Sequence, residues 1–343
     1  MKNYAVVGAS GAVGEEILKV LDELDVKVNE LYLFASKNSA GKKLEFKNKE
    51  YTILELTKDS FKNKNIDVAF FCAGSNVSKE YAKYAVDEGI IVIDNTSYFR
   101  MNEDVPLVVP ECNKEDIKKH KNIIANPNCS TIQMVHILKP LDDAFDIKSV
   151  NVSTYQAASG AGNIGMQELL HNFEQIFSFK DVEVKKFSHQ LAFNLIPQID
   201  DFTESGYTKE ELKMINETQK IMHKKMQISA TCVRVPVLRS HSESISITFN
   251  KEVDLAKAKE LLKNAPSVVV IDDVNAKAQN EDNFDENNMR YPMPLFTSDT
   301  NETYVGRIRL DLNCPKTLHL WCVADQIRVG AATNAVRIAK NLA

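Results

Sequence analysis

Tyr4-Ala5-Val6-Val7-Gly8-Ala9-Ser10-Gly11-Ala12-Val13-Gly14 stands at the head of a chain of 343 residues. Four apolar residues are followed at once by glycines spaced three apart, and an amphipathic run continues from Glu15 to about Leu24. The pattern predicts a strand, a tight loop and a helix. Where a backbone must approach a pyrophosphate a Cβ is in the way, and the helix that follows turns its N-terminal N–H groups toward the phosphates. Loops collect glycine for many reasons, so the triplet alone is weak. Between a strand and a helix it is a dinucleotide-binding fingerprint. Gly8, Ser10, Gly11, Ala12, Val13 and Gly14 are its candidate cofactor contacts.

The neighbouring segments fit the same architecture. A second strand, residues 30–35, ends in Ser36-Lys37-Asn38-Ser39. An NAD site usually places an acidic residue there for the ribose 2′-hydroxyl. Hydroxyls, an amide and a cation suit a 2′-phosphate instead, so Ser36, Asn38 and Ser39 point to NADP. Further apolar strands are expected at 67–73 and 90–93, the second running into Asn95, with a helix at 78–88 between them. Apolar strands alternating with helices predict a doubly wound parallel sheet, whose ligands bind beyond the carboxyl ends of the strands. Gly8, Ser36, Asn95 and Cys129 all fall at such ends.

Cys129 lies in Asn126-Pro127-Asn128-Cys129-Ser130-Thr131, between the apolar run 122–125 and an amphipathic helix over 132–141. Cysteine is more often a small buried hydrophobe than a nucleophile. At a helix N-terminus, however, the dipole favours the thiolate. Arg100, shortly after Asn95, offers a fork of donors to an anion near the same crevice.

Beyond residue 130 the pattern changes to an α+β unit with mostly antiparallel strands. Strand 147–155 leads into Gln156-Ala157-Ala158-Ser159-Gly160, small residues that let a ligand lie on the backbone. A helix is expected over 165–179. Thr208-Lys209-Glu210-Glu211 is a capping box opening a helix to about Met226, with Glu217 and Lys220 on one face. Strand 228–237 carries Arg234, and His241 falls in the connection to a strand over 244–250. Helix 255–264 and strands at 267–271, 304–312 and 318–324 follow, with a surface excursion over 281–294. The terminal helix, to Leu342, is expected to return to the first domain. The implied division is 1–129 with 325–343 as the nucleotide domain, and 130–324 as the second, α+β domain.

Composition narrows the class. With 44% hydrophobic and 26% charged residues the chain has an ample core, and a net charge of −5 without a basic stripe argues against nucleic acid. Six scattered cysteines with no C-x-x-C pair suit reduced thiols better than disulfides or a metal site. No run of about 18 apolar residues offers a membrane span. The first strand begins within a few residues of Met1, without a leader pattern, so a cytoplasmic, globular protein is expected.

A nucleotide site, a thiol at a helix start, a histidine beside an arginine and several anion holders fit thiolate attack on an acyl group coupled to hydride transfer. The chain resembles the aspartate-β-semialdehyde dehydrogenase family over essentially its whole length. The resemblance rests on 8–14, 126–131, Tyr155-Gln156-Ala157-Ala158-Ser159-Gly160, Glu217-Thr218-Gln219-Lys220 and Arg234-Val235-Pro236-Val237-Leu238-Arg239-Ser240-His241. It implies a Rossmann-like nucleotide domain and a homodimer built through the second domain. It implies Cys129 as nucleophile, His241 as acid/base and Gln156 orienting the intermediate. Arg234 would take the substrate carboxylate, Glu217 its amino group, and Arg100, Asn128 and Lys220 the phosphate. Gln326 and the Ser159-Gly160 backbone would meet the nicotinamide end. The implied reaction reduces L-aspartyl-4-phosphate with NADPH, a step toward lysine, methionine and threonine. Asn38 departs from the arginine of many relatives, and Lys37 is the nearby cation. Competing readings are an acetylglutamyl-phosphate reductase, which would not need Glu217, a glyceraldehyde-phosphate dehydrogenase, whose cysteine motif differs, and a non-catalytic binding paralogue, which would lack Cys129 or His241.

Overall fold

Short strands buried on both faces must be apolar throughout, and the first strand of the chain is so: Ala5, Val6 and Val7 are fully enclosed. The computed structural model describes residues 1–286 and 288–342. Asn287, within the 281–294 excursion, and Ala343, at the end of the 325–343 segment, lie outside the described residues. Two compact units result, Met1–Cys129 with Gly330–Ala343, and Ser130–Val329.

In the first unit β1 (Lys2–Val7) leads to α1 (Ala12–Glu23) and β2 (Val28–Ala35). A hairpin of β3 (Lys43–Phe46) and β4 (Lys49–Thr52) follows, then β5 (Leu54–Glu55), β6 (Val68–Phe71), α2 (Ser75–Asp87), β7 (Ile91–Asp94), α3 (Pro110–Asn113) and β8 (Ile123–Ala125). The sheet order is β5-β2-β1-β6-β7-β8, and each adjacent pair is parallel. The strand order reverses direction between β1 and β6, the switch point at which such sheets hold ligands. The terminal helix, Asn334–Lys340, packs Ala335, Val336 and Ile338 into the same core as Ile17 and Leu21 of α1, the return expected of it. The hairpin was not anticipated; Lys47 and Asn48 at its tip have φ of 50° and 60°, the positive pair of a tight hairpin turn.

The second unit contains α4 (Cys129–Phe145, its first residue ending the first unit), β9 (Ile147–Gln156), α5 (Gly162–Phe177), α6 (Lys209–Met222), β10 (Gln227–Arg234) and β11 (His241–Phe249). It continues with α7 (Leu255–Asn264), β12 (Val268–Val270), α8 (Pro294–Thr297), β13 (Thr303–Leu310) and β14 (Thr317–Ala324). The order is β10-β9-β11-β14-β13-β12; the three inner pairings are antiparallel and the two outermost are parallel, a mixed sheet.

Several expectations need correction. His241 is not in a connection: it is the first residue of β11 and shares a face with Ile245, Ile247 and Phe249. The strand could not be read back past Ser244 because His241 and Glu243 break its apolar alternation. β10 ends at Arg234 rather than at 237, where Pro236 removes a ladder donor. α6 stops at Met222 rather than at Met226, because His223 takes a left-handed φ of 51°. Residues 325–329 fall in the second unit.

Candidate active site

The first unit supplies a cleft of about 470 Å³ lined by Gly8, Ser10, Gly11, Ser36, Cys72 and Tyr81. Gly8 has φ +92°, a conformation that would strain any residue with a side chain, and the Gly8 and Ala9 N–H groups both donate to Phe34 O at the end of β2 (2.8 and 3.1 Å). No side chain caps α1 at Gly11. Ala12, Val13 and Gly14 form its first turn. Ser10 Oγ donates to Ser39 Oγ at 3.0 Å, while Ser36, Lys37 and Asn38 are exposed beyond β2. The Asn95 side-chain oxygen is buried without a hydrogen-bond partner, an acceptor available to a ligand. These residues fit a dinucleotide.

Beside Asn95 the chain is pinned. Asp94 accepts from Ser78 Oγ (2.7 Å), Thr96 N (3.1 Å) and Thr96 Oγ1 (2.8 Å), and burial raises its carboxyl above the usual range. Arg100, itself buried, donates through Nε to Asn126 O and through Nη2 to Asn95 O, both at 2.9 Å. From the other side Asn334 Nδ2 donates to Asn126 Oδ1 (2.7 Å) and Val108 O (2.9 Å). The turn carrying Asn128 and Cys129 is therefore held by an arginine and by the terminal helix. A Cβ at Gly330 would lie 2.5 Å from Cys129 Cβ, so glycine alone fits there. Asn128 is buried and Cys129 half-buried. No two of the six cysteines, all described, share a disulfide.

In the second unit the loop after β9, the end of β10 and the start of β11 converge. The Ala157 N–H donates to His241 Nδ1 at 3.0 Å. A backbone N–H can only donate, so Nδ1 carries the lone pair and the neutral ring holds its proton on Nε2. Burial, and secondarily the Arg234 charge, hold the His241 pKa well below its ordinary value. Arg234 donates through Nη1 to Ala157 O at 2.6 Å and lies over the Phe187 ring. A Cβ at Gly160 would be 2.8 Å from Arg234 Nη1 and 3.2 Å from His241 Nε2. Glycine keeps both side chains against the loop. Gln326 accepts from Ser240 N (2.9 Å) and donates to Ser159 Oγ, joining the same cluster.

Gln156 is oriented from behind, with Oε1 accepting from Thr154 Oγ1 (3.0 Å) and Nε2 donating to Glu210 Oε1 (3.1 Å). Glu210 was not a candidate, although it sits inside the capping box. The box is complete, with Thr208 and Glu211 serving each other's N–H groups, and Glu211 also accepts from Cys232 N of β10. Glu217 is 1% exposed, so it is no solvated surface charge. Glu217 and Lys220 lie on α6, the helix packed on the strand that carries Arg234.

Residues 3–120 match the model of the semialdehyde dehydrogenase NAD binding domain, and residues 138–329 that of the semialdehyde dehydrogenase dimerisation domain. An aspartate-semialdehyde dehydrogenase of Campylobacter jejuni is 64% identical over 343 residues, covering 99% of this chain and 96% of that one. The crystal structure of Vibrio cholerae aspartate semialdehyde dehydrogenase II complexed with ASA superposes with a TM-score of 0.92 at 41% identity, covering 100% of this chain and 98% of that one. A Candida albicans aspartate semialdehyde dehydrogenase with NADP gives 0.73 at 25%, covering 100% and 98%. The chain belongs to the aspartate-semialdehyde dehydrogenase family.

Proposed function

We propose that this chain carries out the NADPH-dependent reductive dephosphorylation of L-aspartyl-4-phosphate to L-aspartate-4-semialdehyde and phosphate, with Cys129 as nucleophile and His241 as acid/base. The observation that carries the reading is the position of Cys129 as the first residue of a 17-residue helix, in a turn held by Arg100 and Asn334. Negative charge at that end of a helix is stabilised. The Cys129 thiolate attacks the acyl carbon, the C–O bond to phosphate breaks, and a thioester on Cys129 results. His241 presents Nε2–H, the atom that donates to the oxygen where charge builds and hands a proton to the departing phosphate. Arg234 takes the α-carboxylate and Glu217 the amino group; Arg100, Asn128 and Lys220 hold the phosphate. Gln156, its amide plane set by Thr154 and Glu210, orients the acyl group. The nicotinamide cofactor, when bound, supplies the hydride that reduces the thioester. Cys129 then leaves as thiolate and frees the aldehyde.

NADP is the cofactor we infer. The Ser10–Ser39 hydroxyl pair and Lys37 would suit a 2′-phosphate, and no acidic residue stands in the Ser36–Ser39 segment. Ser36, Asn38 and Ser39 would share that phosphate, and Asn95, Ser159, Gly160 and Gln326 would meet the remainder of the cofactor. The test is reduction of NADP, and separately of NAD, by purified protein given aspartate semialdehyde and phosphate. Phosphate-dependent turnover with NADP supports the whole reading. Turnover with NAD alone keeps the chemistry and overturns the cofactor; turnover only of acetylglutamate semialdehyde moves the chain to the rival reaction.

A further inference from the structure

β11 carries a second titratable group that the chemistry above does not use. Glu243 follows His241 on the same inward face and is fully buried. It pairs across the sheet with Cys322 of β14 and Thr154 of β9. Cys232 of β10 and Gln133 of α4 face it as well. Among the described residues no cation acts on its carboxyl: burial pushes it well above the usual carboxylate range, and the Gln133 amide is the group that opposes this. The thiols of Cys322 and Cys232 are themselves pushed up, mainly by burial, so neither offers a counter-charge. Of the α6 carboxylates that act on Cys232, Glu210 is ion-paired with Lys213 at 3.1 Å, and Glu211 accepts from the Thr208 and Cys232 N–H groups.

Glu243 Oε1, Glu243 Oε2 and Gln133 Oε1 are buried with no well-formed hydrogen bond, although the Gln133 amide lies close enough to act on the carboxyl. All three are acceptors if the carboxyl is ionised, and such a cluster is costly in a low-dielectric interior. One proton on Glu243 resolves it, because a carboxylic acid becomes a donor. Gln133 meanwhile points its Nε2 at the His241 carbonyl, at 3.4 Å. We propose that Glu243 is a positioning residue acting as a neutral carboxylic acid: its O–H donates to Gln133 Oε1, which fixes the Gln133 amide so that Nε2 holds the His241 carbonyl. The strand end that presents the histidine is then gripped at two points, at Nδ1 by Ala157 N–H and at its carbonyl by Gln133. Loss of the Glu243 proton favours the flipped amide, with Nε2 toward the carboxylate, and the His241 carbonyl loses its donor. The inference rests on His241 being the acid/base.

The test uses the full chain loaded with NADP. Infrared difference spectra between wild type and Glu243→Gln are expected to show a protonated carboxylic acid band at neutral pH that disappears as pH rises. Glu243→Gln, which keeps a neutral donor, should hold kcat within about threefold, the scale of exchanging one neutral hydrogen bond for another. It should also lose the part of the alkaline fall in kcat that the wild type shows. Glu243→Leu, with no donor, should lower kcat about 10²-fold with the KM for NADP unmoved, as a misplaced catalytic group does. In a His241→Asn background the same change should add little, since both act through one group. Absence of the acid band at neutral pH, or an alkaline limb unchanged in Glu243→Gln, overturns the proposal even where Glu243→Leu fails to fold. A wild-type kcat in Glu243→Leu overturns it while a slow His241→Asn leaves the acid/base role standing. A normal rate in His241→Asn removes that role itself.

Discussion

His241 is the residue at which sequence and geometry are joined most tightly. With Nδ1 occupied by a peptide N–H, asparagine cannot reproduce a proton on Nε2. His241→Asn should therefore slow turnover by roughly 10²- to 10⁴-fold, the range for losing a general acid–base group, as steady-state kinetics would show. The same residue makes stability depend on pH. Its folded-state pKa is depressed, whereas an unfolded histidine titrates near ~6.5, so the unfolded chain binds the extra proton as pH falls below that value. Denaturant midpoints should drop from about pH 6.5 downward, and His241→Asn should flatten that slope. Arg234 makes a different contribution. One arm is committed to Ala157 O, and a lysine cannot keep that bond while offering a fork to a carboxylate. Arg234→Lys should chiefly lower kcat/KM for aspartate semialdehyde, with the KM for the nucleotide little changed. The candidate residues were legible because their types are chemically committed in short motifs. Ala157, Glu210, Gly330 and Asn334 were not, since a backbone N–H, a residue hidden in a capping box and two residues two hundred positions from the cysteine carry no local signal.

Elements were read best where local chemistry alone sets them. The capping box at Thr208 formed as its spacing required, and Glu211 also stitches the helix to β10 through Cys232 N. Thr208→Ala should cost about 0.5–2 kcal/mol of unfolding free energy, measurable by urea denaturation, because a capped N–H loses its acceptor inside a buried helix start. Parallel pairing of β10 with β9 was not legible, because both strands alternate in the same way whichever direction they run. The start of β11 was missed for the opposite reason: a histidine and a glutamate occupy inward positions where the period calls for apolar side chains. Polar groups built into a core-facing strand conceal the strand that holds them.

At the scale of the whole chain, Cys129 ends the first unit and His241 belongs to the second, so the roles proposed for them fall on different units. The return of the terminal helix to the α1 core was foreseeable from its amphipathic pattern; the break at 329/330 rather than at 324/325 was not, because Asp325 caps Ile327 N and Arg328 N within the second unit. Phe177, Phe179, Phe193 and Leu195 are exposed in the region matching the dimerisation model. Such a concentration of apolar side chains calls for a covering surface. Sedimentation velocity should give a species of twice the 38.6 kDa chain mass, and Phe177→Asp with Phe193→Asp should shift it toward the monomer. A monomeric wild type would contradict assembly through this unit. The proposed thioester on Cys129 is tested most directly by intact-mass spectrometry after mixing cofactor-free protein with aspartyl phosphate. One aspartyl adduct, mapped to Cys129 and absent from Cys129→Ala, is the predicted result; an unmodified Cys129, or an adduct that persists in Cys129→Ala, would contradict it.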